Sequence, residues 1–219
     1  MKRFISNPVS LSAIAFLGIA VFTELSSFSV ASYGLTAGST TSATATLISL
    51  SRSPVPVIAF KSSNPSVAQV PLSKLASTGT VVIDVTAVAP GCAQITASYG
   101  GRARTDDVVV HPASTTTAFT MKVPDQVLPY PGLSDGTLTR TLTFTSPDRT
   151  TAPGTITVIP TYWKLSSSNT SIVTVPDSVK VSTSATFKIA GRGEGCATIT
   201  ARLGTASVSK TVMTRYIGG

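Results

Sequence analysis

The sequence predicts an all-β chain built as two tandem antiparallel sandwiches. Three observations carry that expectation. The first is composition: of 219 residues, 42% are hydrophobic, only 12% are charged, and Ser and Thr together supply 64. Long surface helices would lack their usual Glu, Lys and Arg, whereas Val, Ile and Thr suit a pleated, half-buried surface. The second is a period of two in the apolar residues, and the third is an internal repeat.

The N-terminus is set apart from this pattern. Residues 1–31 read as a secretory signal peptide. Lys2 and Arg3 give the positive start, Val9 to Phe22 carries no charge, and Ser29-Val30-Ala31 puts small residues where a signal peptidase reads them. The apolar stretch falls short of the roughly 20 residues that a bilayer-spanning helix needs. Cleavage near Ala31 and export are therefore expected, with no membrane span in the mature chain; a retained N-terminal anchor is the alternative. The domains expected are 32–112 and 113–219.

The repeat sets that division. Phe60-Lys61-Ser62-Ser63-Asn64-Pro65-Ser66-Val67-Ala68-Gln69-Val70-Pro71 returns as Trp163-Lys164 and, two extra residues later, Ser167-Ser168-Asn169-Thr170-Ser171-Ile172-Val173-Thr174-Val175-Pro176. Pro90-Gly91-Cys92-Ala93-Gln94-Ile95-Thr96-Ala97 returns as Glu194-Gly195-Cys196-Ala197-Thr198-Ile199-Thr200-Ala201. Asn64 and Asn169 stand 105 residues apart, Cys92 and Cys196 104 apart. Two ordered matches at nearly one spacing indicate a tandem duplication, with its seam at His111-Pro112-Ala113-Ser114.

Within each copy, alternation places the strands. Ala93, Ile95 and Ala97 face one way while Gln94, Thr96 and Ser98 face the other. Strands are expected near 42–50, 57–62, 67–70, 80–88, 93–99 and 105–111 in the first copy. In the second they are expected near 117–123, 137–145, 156–164, 172–175, 179–190, 197–203 and 206–214. No segment has helical periodicity. The second copy carries an insertion at roughly 146–155, and its Pro147, Asp148 and Arg149 form a candidate contact loop, because loops on rigid scaffolds often carry binding.

At these residues the chain resembles the group-2 bacterial immunoglobulin-like domains found in intimin- and invasin-type surface proteins. The shared pattern is an aromatic followed by Ser-Ser-Asn-x-x-Val-Ala-x-Val and then Gly-x-Ala-x-Ile-Thr-Ala. Phe60, Asn64 and Ile95 carry it in copy one; Trp163, Asn169 and Ile199 carry it in copy two. Gly38 and Gly136 are candidates for the glycine that often follows the first strand. The resemblance implies two immunoglobulin-like sandwiches and a surface task. The aromatics are expected to fill the space between sheets, and the asparagines to bond nearby backbone in a turn.

Each copy holds one cysteine, so no disulfide closes within a copy. Alternation turns Cys92 and Cys196 away from the face of Ile95 and Ile199. Three states stay open: reduced thiols tucked in as small apolar groups, which comes first; a bond between side-by-side sandwiches; and interchain bonds in an assembly. End-to-end stacking excludes the intrachain bond, which needs Cα atoms about 4.4–6.8 Å apart, whereas one strand spans roughly 17–20 Å.

Little material remains for catalysis. The chain has one histidine and nine acidic residues, and no phosphate-cradling glycine loop or Cys-x-x-Cys pair. His111 reads as a seam residue. Asp106-Asp107 lack an Asp-x-Asp-x-Asp-Gly loop and read as a solvated pair near Arg102 and Arg104. No enzyme, cofactor or metal is expected. The net charge of +8 favours anionic surfaces. Its carriers are spread singly, without a basic stripe interleaved with aromatics, which argues against nucleic acid.

The expectation is a non-catalytic structural or adhesive protein, secreted, extracellular or on the cell surface, with the periplasm as a further location. Its partner would be a protein or a cell-surface polysaccharide, and it could self-associate. One alternative is a self-assembling subunit of an extracellular filament or virion surface, in which Ser32 to Thr41 complements a neighbour's sheet. Another is a carbohydrate-binding accessory module using exposed rings among Tyr33, Tyr99, Tyr130, Tyr162 and Tyr216.

Overall fold

Residues 24–48, 55–77, 79–114, 119–124, 127–140 and 161–216 are described by a computed structural model of the chain. They form strands and connections and no helix; accordingly none of them belongs to a helix long and apolar enough to cross a membrane. The first half contains β1 (Glu24–Val30), β2 (Gly34–Thr36), β3 (Thr40–Ile48), β4 (Val57–Ser62), β5 (Ala68–Gln69), β6 (Ser73–Leu75), β7 (Thr80–Ala87), β8 (Gly91–Tyr99) and β9 (Arg102–His111). The second contains β10 (Phe119–Lys122), β11 (Leu128–Tyr130), β12 (Gly132–Arg140), β13 (Thr161–Ser167), β14 (Val173–Thr174), β15 (Ser178–Val181), β16 (Ser184–Gly191), β17 (Gly195–Leu203) and β18 (Ala206–Tyr216).

Both halves use one topology. The sheets run β1-β3-β7-β5 and β2-β9-β8-β4-β6 in the first, and β10-β12-β16-β14 and β11-β18-β17-β13-β15 in the second. All pairings are antiparallel except β2 with β9 and β11 with β18. This is the two-sheet order of an immunoglobulin-like sandwich. Each half has its own core, and the two cores share no residue. Period two produces those cores directly: every second residue of β7 is buried, and Ala93, Ile95 and Ala97 on β8 match Ala197, Ile199 and Ala201 on β17. The strand expected at 179–190 divides into β15 and β16.

The first domain starts earlier than expected. A cut near Ala31 would remove β1, which runs along β3 from Glu24↔Ile48 to Val30↔Ala43. Leu25 is fully buried in the first core, and Phe28 packs on it with its ring 6.1 Å from that of Phe60. The boundary at 31/32 therefore moves to Glu24 or before it. Ser29 and Ala31 are exposed at the end of β1, so small residues there suit a solvent-facing strand end as well as a peptidase and do not by themselves mark a cut.

Register also corrects the aromatic match. Phe60 pairs with Ala97, and the pair in the same place in the second sandwich is Leu165 with Ala201. Trp163 pairs with Val179, where the first sandwich has Ile58 with Lys74. No two-residue insertion separates the motifs. The large ring has moved two positions along its strand, which keeps it on the inward face. Trp163 is fully buried against Phe119, ring centroids 4.0 Å apart. Gly136 is likewise not the turn glycine: it lies inside β12, where a side chain would strike the Phe187 ring at 2.5 Å. Gly38, at φ 86°, does sit in the turn before β3.

Candidate functional site

The structure concentrates its unusual chemistry at the joint between the sandwiches. Gly91 and Gly195 open β8 and β17 with φ of 153° and 136°, which favours glycine. A side chain there would run into Val67 or Ile172, at 2.7 and 2.8 Å. The next residues, Cys92 and Cys196, alternate with the buried alanines and so leave the cores. They form a disulfide with Cα atoms 6.0 Å apart. Of the three cysteine states, the structure adopts the bonded pair within one chain rather than tucked thiols or interchain bonds, and the bond joins the corresponding ends of the two sandwiches, where β8 and β17 begin.

The contacts around the disulfide obey a local two-fold. Cys92 pairs with Val109 across β8 and β9 as Cys196 pairs with Met213 across β17 and β18, so Asp107 corresponds to Thr211 and His111 to Arg215. The Thr211 amide donates to His111 Nδ1 at 3.2 Å, and Arg215 Nη2 donates to Asp107 Oδ1 at 2.6 Å. Exchanging the two halves turns one contact into the other. This is the arrangement of an isologous interface, formed here within one chain. Val109 is fully buried yet belongs to neither core; the joint covers it.

Two further groups complete the joint. Asp107 also accepts from Gln94 Nε2 at 3.1 Å. The Tyr33 hydroxyl is buried and makes no hydrogen bond with a described residue. Its ionisation is pushed well above the ordinary tyrosine range, first by burial and then by the Asp107 carboxylate, with Arg215 opposing. His111 is buried against Gly34, where an added side chain would meet Nε2 at 2.9 Å. Asp107 and His111 thus reach across to Arg215 and Thr211 of the second sandwich.

The acidic pair expected to be solvated is engaged on both sides. Asp106 Oδ2 accepts the Val30 amide at 2.7 Å, and Arg104 Nε donates to the Ser26 carbonyl at 3.3 Å, so both hold β1. Among the described residues no three His, Cys, Asp or Glu gather as metal ligands. Ser32 to Thr41 lies within the chain's own sheets, in β2 and the start of β3, which removes the basis for its complementing a neighbour.

The repeated motif has a local role. Ser63 Oγ accepts the Gln94 amide at 2.8 Å while the Ser63 amide donates to the Gln94 carbonyl at 2.9 Å. Ser168 makes the same pair of bonds with Thr198. Asn64 Oδ1 accepts from Ser66 Oγ, and Asn169 Oδ1 from both the amide and Oγ of Ser171. Phe60, Ile95, Trp163 and Ile199 are buried. Pro147, Asp148 and Arg149 lie outside the described residues.

The structure buries the Tyr33 hydroxyl at the joint, whereas the sequence offers Tyr33 only as a candidate exposed ring and Arg215 no role, although a signal existed. Val108-Val109-Val110-His111 breaks the alternation of β9, and a strand end buried on both faces must be covered by something besides its own core.

No family model matches the sequence, and no curated protein matches it. Among solved structures the chain is similar to the D0-D1 domain of intimin, at 13% identity and a TM-score of 0.40, over 88% of this chain and 99% of that one. It is similar to domains 4 and 5 of the S-layer protein SbsC, at 21% identity and a TM-score of 0.34, over 72% and 75% of the two chains. A third similarity is to the C-terminal 282-residue fragment of intimin in complex with the translocated intimin receptor. It stands at 14% identity and a TM-score of 0.35, over 87% and 64%.

Proposed function

We propose that the protein is an exported, non-catalytic surface module, structural or adhesive, in which two bacterial immunoglobulin-like domains of the group-2 type act as one rigid unit. The observation that carries this reading is the disulfide-closed joint. Domains in one chain move relative to each other by default. Here a covalent bond, a salt bridge and a histidine contact fix them. Such a bond forms and persists in oxidising compartments, which supports export. His111 is the one histidine available to a serine-type triad, and its Nδ1 already accepts a backbone amide at the joint, which supports a task without catalysis. The outward sheet faces are then the surfaces open to a protein or polysaccharide partner.

In this reading the export signal lies within residues 1–23, and any cut falls before β1. Gly18-Ile19-Ala20 offers small residues at the positions a signal peptidase reads. The test is to express the full chain in a bacterium, fractionate the cells and determine the N-terminal residue of the exported protein. Recovery outside the cytoplasm with a start at or before Glu24 is the expected result. A cytoplasmic product with free thiols would contradict the proposal.

A further inference from the structure

We infer that the outward face of β13, β15 and β17 is a binding surface for an acidic polysaccharide. On this face Lys164 stands directly opposite Arg202, and Tyr162 directly opposite Lys180. All four are exposed, Tyr162 at 64%. Like charges directly opposite on one sheet face repel. None of the three cations forms an ion pair with a described residue. The Lys180 ammonium instead lies over the Tyr162 ring, 6.0 Å from its centroid.

The first sandwich shows that the fold does not require this cluster. By register, Val57, Ala59, Leu75 and Ser98 occupy the positions of Tyr162, Lys164, Lys180 and Arg202. One scaffold thus carries no charge at these four positions in one copy, where the face has only Lys61 further along β4, and in the other places three cations, none in an ion pair with a described residue, beside a flat ring. An uncompensated charge cluster that architecture does not need is explained by an anionic ligand.

The shape of the cluster narrows that ligand. Adjacent strands lie about 4.8 Å apart and alternate residues about 7 Å apart, so the four side chains cover a patch about 10 Å across. The exposed ring can lie against the C–H face of a sugar while the cations meet its carboxylates. Beside them, Ser166, Thr200 and Ser209 continue the same face with hydroxyls, donors and acceptors for sugar hydroxyls. A compact patch with one ring fits a glycan better than the long basic stripe with several aromatics that nucleic acid uses.

The assignment rests on the surface-module reading and gives it a ligand class. Its test uses purified full-length protein, so it succeeds or fails independently of compartment. Polygalacturonate, neutral dextran and duplex DNA are titrated against the protein by calorimetry at low and moderate salt. We expect salt-sensitive binding of polygalacturonate and none of dextran. Lys164→Ala with Arg202→Ser, which installs the first sandwich's residues, should weaken binding roughly tenfold or more. Tyr162→Val should weaken it several-fold, while Lys188→Ala, on the opposite sheet, leaves it unchanged; circular dichroism checks the fold of each variant. The assignment is overturned if polygalacturonate does not bind, if Lys188→Ala costs as much as the double variant, or if DNA binds more tightly and Tyr162→Val changes nothing.

Discussion

Removing residues 1–31 should destroy the first sandwich rather than mature it. The magnitude follows from what β1 contributes. Leu25 is fully buried, and loss of a buried leucine side chain costs about 2–5 kcal/mol. Three hydrogen bonds go with it: Val30 amide to Asp106, Arg104 to the Ser26 carbonyl, and Ser26 Oγ to the Thr46 carbonyl. At about 1 kcal/mol each, they bring the loss to roughly 5–8 kcal/mol. The exposed ion pair of Arg102 with Glu24 adds little. Losing β1 also leaves β3 as an unpaired edge facing solvent. A domain's whole stability is about 5–15 kcal/mol, so the loss is decisive. The assay compares a chain starting at Val21 with one starting at Ser32 by urea unfolding, followed by circular dichroism and by fluorescence. Trp163, the sole tryptophan, reports the second sandwich alone. The shorter chain should lose part of its circular dichroism amplitude while keeping a tryptophan transition. Identical transitions for both chains would refute the reasoning.

Three other outcomes follow from named contacts. Arg215→Met leaves the Asp107 carboxylate, 12% exposed, with Gln94 alone; the cost should be about 1–2 kcal/mol by urea unfolding, whereas Lys188→Met, which breaks an exposed pair with Asp135, should cost less than about 0.5 kcal/mol. Tyr33→Phe removes a buried hydroxyl that makes no hydrogen bond with a described residue and should stabilise the protein by about 1 kcal/mol. Because burial raises the ionisation of Tyr33 above its unfolded value near 10, the protein keeps its full stability below about pH 10, where Tyr33 is protonated in both states, and loses stability as pH rises further and the unfolded chain ionises; thermal melts between pH 8 and 11 should show a shallower alkaline decline for Tyr33→Phe. Trp163→Ala should cost about 3–5 kcal/mol in the second sandwich, read by far-ultraviolet circular dichroism.

The sheets were legible because one face of each strand is wet. Alternation in β4, β7, β8 and β17 required no knowledge of the partner strand. The short strands β2, β6 and β11, each of three residues, escaped because three residues hold no measurable period. β1 escaped because its residues also satisfy a peptidase. The joint was half legible. Equivalent cysteines on outward faces raised a bonded pair as one choice of three, but nothing local distinguishes a thiol facing solvent from one facing another domain. The contact of Asp107 with Arg215 spans 108 residues and depends on how the sandwiches dock. The cationic face was invisible for a related reason: Tyr162, Lys164, Lys180 and Arg202 are scattered in sequence and meet only through strand register.

A disulfide across a local two-fold joins the two sandwiches. Non-reducing peptide mapping of the purified monomer by mass spectrometry tests it most directly. A single linked pair joining the Cys92 peptide to the Cys196 peptide within a monomeric chain is the result this account requires. Free thiols at both positions, or the same peptides linked between two chains, would contradict it.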